Sequence, residues 1–155
     1  MKSENIFDFE INGFCQIQLS LPESIKNLVQ RENWNALDRA LAIFFQQDLK
    51  IILSAFTQVN EIEHIISIRE EPDEDGIWHD DGSRKLAFTL SLTTRPEDIS
   101  GGILNFRKKN TTQTHQISTA NFGVLTIFKT GLSGYEHQLT KVENGKRIIS
   151  AGWIT

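Results

Sequence analysis

The feature that most limits what this chain can fold into is a change of hydrophobic period at Asn60. Beyond it, β-branched and aromatic residues alternate with polar ones in short runs. The candidate strands are His64 to Arg69, Ile77 to His79, Leu86 to Leu92, Gly102 to Arg107, Thr114 to Ser118, Val124 to Lys129, Tyr135 to Val142 and Arg147 to Ile154. Turn chemistry separates them: Pro72-Asp73-Glu74-Asp75-Gly76, Asp81-Gly82-Ser83, Arg95-Pro96-Glu97-Asp98, Gly131 to Gly134, and Asn144-Gly145. Many short, closely spaced strands predict a sandwich or double-sheet jelly roll.

Before Asn60 the period is helical. Ile25, Leu28 and Val29, then Trp34, Leu37, Leu41, Phe44, Phe45, Leu49, Ile52 and Leu53 recur at helix spacing between Pro22 and Phe56. Two helices split near Asn33 are predicted, packed outside one sheet, with Trp34 and the Phe44-Phe45 pair in the core. Ile6 to Phe9 and Phe14 to Leu21 read as short strands joined at Asn12-Gly13, a favoured hairpin dipeptide. The expected class is α+β, mainly β.

A chain of 155 residues can bury one adequate core without disulfides, so residues 1–155 read as a single domain. With 39% hydrophobic and 23% charged residues the composition is that of a globular protein rather than a disordered one. A net charge of −4 leaves no electrostatic footprint for duplex nucleic acid or an anionic membrane, and suits a neutral or basic partner better. The stretch Met1 to Glu10 lacks a continuous apolar run of signal-peptide length, and no run approaches a membrane span, so a cytoplasmic location is expected. Cys15 is the sole cysteine, which excludes an intrachain disulfide and a thiolate zinc cluster; it reads as a small buried hydrophobe.

The chemistry-bearing residues are His79, Asp81, His137 and Arg147. His79 and Asp81 stand two apart at the end of a predicted strand, so both side chains can face one metal. Two neutral imidazoles and one carboxylate on one face of Fe(II) leave three positions open, enough for a chelating co-substrate and O2. A 2-oxo acid chelated there has a far carboxylate that needs a cation, and Arg147 offers a planar, permanently charged fork. A hairpin at Asn144-Gly145 would set His137 and Arg147 on adjacent strands, a span that a small dicarboxylate could bridge.

These residues resemble the 2-oxoglutarate and Fe(II)-dependent dioxygenase superfamily, and within it the prolyl-4-hydroxylase-like bacterial oxygenases. The resemblance covers about Ile77 to Ile154. It rests on His79-any-Asp81, the distal His137 and Arg147 ten residues on, supported by Leu86 to Leu92, Gly101-Gly102-Ile103-Leu104-Asn105-Phe106, Gly123 to Phe128, and Gly145-Lys146-Arg147 running to Trp153. It implies a double-stranded β-helix in which His79, Asp81 and His137 bind iron and act in catalysis. Arg147 is then implied to bind the distal carboxylate of 2-oxoglutarate, and Ser150 to add a hydroxyl bond to it. The implied cofactors are Fe(II), 2-oxoglutarate and O2, and the implied reaction is hydroxylation of a C–H bond. Prolyl hydroxylases often carry a Tyr on the strand ahead of the metal motif; this chain has Arg69 there, and its one Tyr is Tyr135. The retained carboxylate of Asp81 argues against a halogenase.

The resemblance favours a peptidyl residue such as proline as substrate, with a free amino acid or small metabolite as the next choice. The substrate groove must come from the chain's own loops or from a second subunit, a homodimer. From other classes, a cupin-like metal-binding protein would keep the three ligands without needing an oriented Arg147, and a pseudo-enzyme interaction module is disfavoured by the intact triad.

Neighbouring residues have plainer readings. Asp80 would point away from the metal face into solvent or a turn hydrogen bond. His64 and His115 have no partner pattern and read as ordinary strand residues. Trp78 and Trp153 are candidate pocket walls. The acidic run Glu70, Glu71, Asp73, Glu74 and Asp75 is a solvated loop or a lid that receives a basic substrate, and Gly131 to Gly134 is a second candidate lid.

Overall fold

A computed structural model describes residues 3–155. Met1 and Lys2, the start of the stretch read for a signal peptide, lie outside the described residues. Helix α1 (Ser3–Asn12) leads into β1 (Phe14–Gln18), followed by α2 (Glu23–Gln30) and α3 (Trp34–Phe44). A wide π turn (Phe45–Leu49) carries α3 into α4 (Lys50–Leu53). The strands are β2 (Ile62–Arg69), β3 (Leu86–Ser91), β4 (Ser100–Gly101), β5 (Leu104–Lys108), β6 (His115–Ile117), β7 (Val124–Lys129), β8 (Tyr135–Leu139), β9 (Val142–Asn144) and β10 (Arg147–Ile154).

The major sheet has five strands in the order β1-β7-β3-β10-β2, and β6-β5-β8 form a second sheet, with β4-β9 as a short separate ladder. All of these pairings are antiparallel. Strand alternation decides which core each residue joins. From β10, Ile148 and Ile154 join Phe88 and Leu90 of β3 in a core with the helices, including Leu37, Leu41 and Phe45. Ala87 and Phe128, on the other face of the major sheet, pack with Leu104, Phe106 and Ile117 of the smaller one. This is the jelly roll expected, with helices on the outer face of one sheet.

The wide turn has a cause in the sequence. Leu37, Leu41, Phe45, Leu49 and Leu53 are all buried, one every fourth residue. In a straight α-helix each step of four overshoots a full turn by about 40°, so such a stripe would wind off the core. The π turn takes up the excess and keeps all five facing the sheet. At the head of α3, the Asn33 side chain accepts the Ala36 N–H at 3.3 Å, which explains the split between the helices there.

Five expectations are corrected. Ile6 to Phe9 lie within α1 rather than in a strand: Phe9 is buried against Phe56, ring centroids 5.0 Å apart, while Phe7 and Ile11 stay exposed. Gly13, at φ +80°, donates its N–H to the Phe9 carbonyl at 3.0 Å. It is a left-handed helix stop, so Asn12-Gly13 ends a helix instead of turning a hairpin, and β1 pairs with β7.

Ile77 to His79 is not a strand; only His79 pairs, in an isolated bridge to His137. The run Tyr135 to Val142 divides between β8, which pairs with β5, and β9, which pairs with β4. Nor do β9 and β10 pair across Asn144-Gly145. β10 is apolar enough to be buried on both faces and is held between β2 and β3. His137 and Arg147 therefore belong to different sheets and face one interior, rather than sitting on adjacent strands. No helix among the described residues is long and apolar enough to cross a membrane.

Candidate metal and carboxylate site

The segment from Gly76 to His79 is laid along the free edge of β8. Gly76 N–H donates to the Leu139 carbonyl at 2.8 Å, Gln138 Nε2 to the Gly76 carbonyl at 2.8 Å, and His79 and His137 exchange backbone bonds of 3.0 and 2.9 Å. On the outer surface of this sheet, the Arg107 guanidinium lies 3.9 Å from the centroid of the Trp78 ring and bonds Glu136 at 2.7 Å. Trp78 is thus an outside clamp on the segment and no part of the cavity wall, whereas Trp153 does line the cavity.

The chain then turns sharply at Asp81, whose φ of +58° is one that Asp tolerates better than most residues. This turn, rather than strand alternation, brings Asp81 beside the imidazoles. His79 Nε2 lies 3.5 Å from Asp81 Oδ1, and His137 Nε2 lies 3.6 Å from Asp81 Oδ2. One ligand atom from each of the three falls within 4.8 Å of the others, a spacing that suits a single metal ion.

The donor set fits Fe(II). The Ile77 carbonyl lies 3.0 Å from His79 Nδ1. A carbonyl only accepts, so Nδ1 is the donor there, and Nε2 is the ring nitrogen left to face a metal. His137 is buried, and burial lowers its pKa to about 4, the Asp81 charge opposing and His79 reinforcing that shift. It is neutral at physiological pH, as a ligand must be.

Asp80 points away, as expected. Its carboxylate accepts the Gly82 N–H at 2.9 Å and pairs with Lys109, which holds its pKa below the usual carboxylate range. Thr130 was not legible as a site residue: fully buried, it donates to the Asp80 carbonyl and sits 3.3 Å from Asp81 Oδ2. Gly131–Ser133 forms a 3-10 turn whose first N–H binds the Asp80 carbonyl at 2.7 Å, so this candidate lid supports the metal turn. The acidic loop is tied as well, Asp75 Oδ1 accepting the Lys141 N–H at 2.7 Å and Asp73 lying 3.6 Å from Arg69.

Arg147 lies across the interior on β10, 5% exposed. Its Nε and Nη1 have no hydrogen-bond partner and it makes no ion pair among the described residues. Burial, and then Arg69, which pairs with it in register, pull its pKa down to about 10 and leave it charged at neutral pH. An unpaired buried cation of this kind costs several kcal/mol in a protein interior. A cavity of about 150 Å³ joins it to the metal residues, lined by His79, Asp81, His137, Leu139, Arg147 and Trp153 among others.

Ser150 is not part of that wall. It stands three residues from Arg147, so alternation turns it to the other face of the sheet, between register partners Leu90 and Ile66 of the helix-side core. The residue two on from Arg147, on the cavity face, is Ile149. His64 likewise faces the helices, 3.2 Å from Asp38 and edge-on to Phe45.

The chain matches the family model described as the 2OG-Fe(II) oxygenase superfamily over residues 68–155. Two PKHD-type hydroxylases of Prochlorococcus marinus are similar to it. The strain MIT 9515 protein is 34% identical over 73 residues, covering 47% of this chain and 30% of that protein. The strain MIT 9301 protein is 31% identical over 80 residues, covering 52% and 33%. The matched stretches thus span about a third of these relatives' own length. Among solved structures, a Pseudomonas putida prolyl-4-hydroxylase aligns over 99% of this chain and 91% of its own, with a TM-score of 0.69 and 21% identity. A Trichoplax adhaerens prolyl hydroxylase in complex with a hypoxia inducible factor peptide fragment aligns over 97% and 86%, with a TM-score of 0.71 and 13% identity. At these identities the solved structures speak for the fold, and the family model, which takes in more than half of the residues, speaks for descent: the chain belongs to the 2OG-Fe(II) oxygenase superfamily.

Proposed function

We propose that this protein is a hydroxylase that uses Fe(II), 2-oxoglutarate and O2, with His79, Asp81 and His137 as metal ligands and Arg147 as the partner of the far carboxylate of 2-oxoglutarate. The observation that carries this reading is the buried, unpaired Arg147 guanidinium at one end of a cavity whose other end is the His-Asp-His cluster. A cupin-like metal protein would have no use for a buried cation there.

The iron centre would supply the oxidising power by which 2-oxoglutarate, O2 and a C–H bond become succinate, CO2 and an alcohol. The chain's own residues set the conditions for it. His79 and His137 present neutral nitrogens, Asp81 presents the one negative charge, and Arg147 fixes the orientation of the co-substrate through its far end. Phe128, Leu104 and Leu139 keep the space between them apolar, which strengthens the pairing of Arg147 with a carboxylate.

For the substrate, the reading is a peptidyl residue such as proline. It is supported by the likeness to the two prolyl hydroxylases. Apolar residues near the metal motif also remain uncovered: Ile65, in the cavity wall, is 51% exposed and Ile77 is 80% exposed.

Anaerobic titration of the protein with Fe(II) and then 2-oxoglutarate tests the cofactor assignment through the weak visible charge-transfer band of the chelate. The band is expected in the wild type and absent in His137→Ala. With no band in either protein, the assignment falls.

A further inference from the structure

Asp81 lines the cavity, yet its side chain is 7% exposed. A buried carboxylate needs donors to stay charged. The imidazole nitrogens nearest to it, at 3.5 and 3.6 Å, are those that a metal would take. Among the described residues one other donor comes within reach, the Thr130 hydroxyl, 3.3 Å from Asp81 Oδ2.

Local structure delivers that hydroxyl. β7 ends at Lys129, and Thr130 keeps an extended backbone before the turn Gly131–Ser133 folds the chain against the metal turn. A side chain at position 131 would run into the carbonyl oxygens of Asp80 and Gly82, so the close approach of the two turns depends on glycine there. Thr130 is left with no exposed surface, and bulk water does not compete for its hydroxyl.

The hydroxyl has one proton and two claimants. It donates to the Asp80 carbonyl, which also accepts the Gly131 N–H at 2.7 Å. That carbonyl stays satisfied if the hydroxyl turns away. Asp81 Oδ2 has no such second donor among the described residues. Carboxylates that ligate a metal are themselves hydrogen-bonded from behind, which sets their orientation.

Resting on the reading of Asp81 as a metal ligand, we propose that Thr130 is its positioning residue: when the site is loaded, the hydroxyl turns from the Asp80 carbonyl to Asp81 Oδ2. Oδ1 is then the oxygen left for the metal. Lys109 is the natural contrast, because it braces the same turn by pairing with the Asp80 carboxylate and makes no bond to Asp81.

The test is anaerobic titration with Fe(II), by competition with a coloured chelator, and with Co(II), whose visible bands report on its ligands. Thr130→Val keeps the shape and removes the donor, and is expected to weaken metal binding roughly 10- to 100-fold and to shift the Co(II) bands. Thr130→Ala also lacks the donor and should match it. Thr130→Ser should restore both affinity and bands, and Lys109→Met should leave the bands in place. Wild-type affinity and bands in Thr130→Val, while Asp81→Asn has lost the metal, overturn the role of Thr130 and leave Asp81 as a ligand. Equal losses in Thr130→Val and Lys109→Met with unshifted bands also overturn it, because the hydroxyl would then merely brace the turn. Asp81→Asn binding metal like the wild type removes both readings.

Discussion

His79 and His137 exchange both of their backbone hydrogen bonds, at 3.0 and 2.9 Å, across an isolated antiparallel bridge, and their rings lie with centroids 4.2 Å apart. The two imidazoles of the proposed metal site are thus spaced by main-chain geometry, although 58 positions of sequence separate them as numbered. What secures the bridge from outside is Trp78 on Arg107. Trp78→Ala is expected to lower Fe(II) affinity several-fold, the size of an exposed cation–π contact, without unfolding the protein. Unchanged affinity in a metal titration would show that the backbone pair holds without the clamp.

In the proposed site Asp81 would have two duties, one of charge and one of backbone. Asn accepts the positive φ of this position but offers no negative charge, so Asp81→Asn should keep the thermal midpoint of the metal-free protein while metal affinity drops more than about 100-fold. Asp81→Ala should lose both metal binding and some stability. Full turnover in either variant would place the ligand elsewhere.

Arg147 costs stability when no anion accompanies it. Arg147→Met should raise the unfolding free energy of the metal-free, co-substrate-free protein by about 1 kcal/mol or more and abolish 2-oxoglutarate binding. In the wild type loaded with metal, 2-oxoglutarate should raise the melting temperature; in the variant it should not. A less stable variant would mean that the guanidinium has partners in the absence of a ligand.

The buried neutral state of His137 also makes a pH prediction. Its folded pKa, about 4, is below the ordinary histidine value of about 6.5. Between these pH values the unfolded chain binds more protons at this residue, so metal-free stability should fall as pH drops from about 6.5 toward 4. Denaturant midpoints of the wild type and His137→Gln across that window should diverge toward acid, the wild type losing more. Parallel curves would mean that His137 titrates normally in the fold.

The π turn offers a test away from the site. Deleting Gln47 removes the residue that the wide turn accommodates, so the segment can close to α-helix with Leu49 and Leu53 three and seven positions after Phe45, about 60° and 20° from it on the core face. The loss should stay below the roughly 2–5 kcal/mol of Leu41→Ala, and a urea melt comparing the two variants reads it; an equal or larger loss would mean that the leucines leave the core.

Much of this was legible in the sequence for a physical reason: where one face of a strand is buried, alternation has to appear. Val124 to Lys129 and Arg147 to Ile154 begin and end where the pattern predicts. What failed was information that one segment does not carry. Ile6 to Phe9 is too short for its pattern to separate helix from strand, and the glycine that follows serves either a hairpin or a helix stop. Asn144-Gly145 is a turn, but the partner of β10 is set by its burial between β2 and β3. At the site, His79, Asp81, His137 and Arg147 were legible from residue type and order, and the structure lines one cavity with all four. Ser150 failed on parity, three residues from Arg147 on a strand of period two. Thr130 gave no sequence signal, because it reaches the site only through Asp80 and Asp81, far away in the chain.

The placement of His137 and Arg147 on different sheets has a mechanical side. A co-substrate held at the metal by one end and at Arg147 by the other would act as a cross-brace between the two walls of the jelly roll. Loading the site would then stiffen the whole barrel, and slow amide exchange in β5 and β8 together with β3 and β10, rather than quieting a single loop.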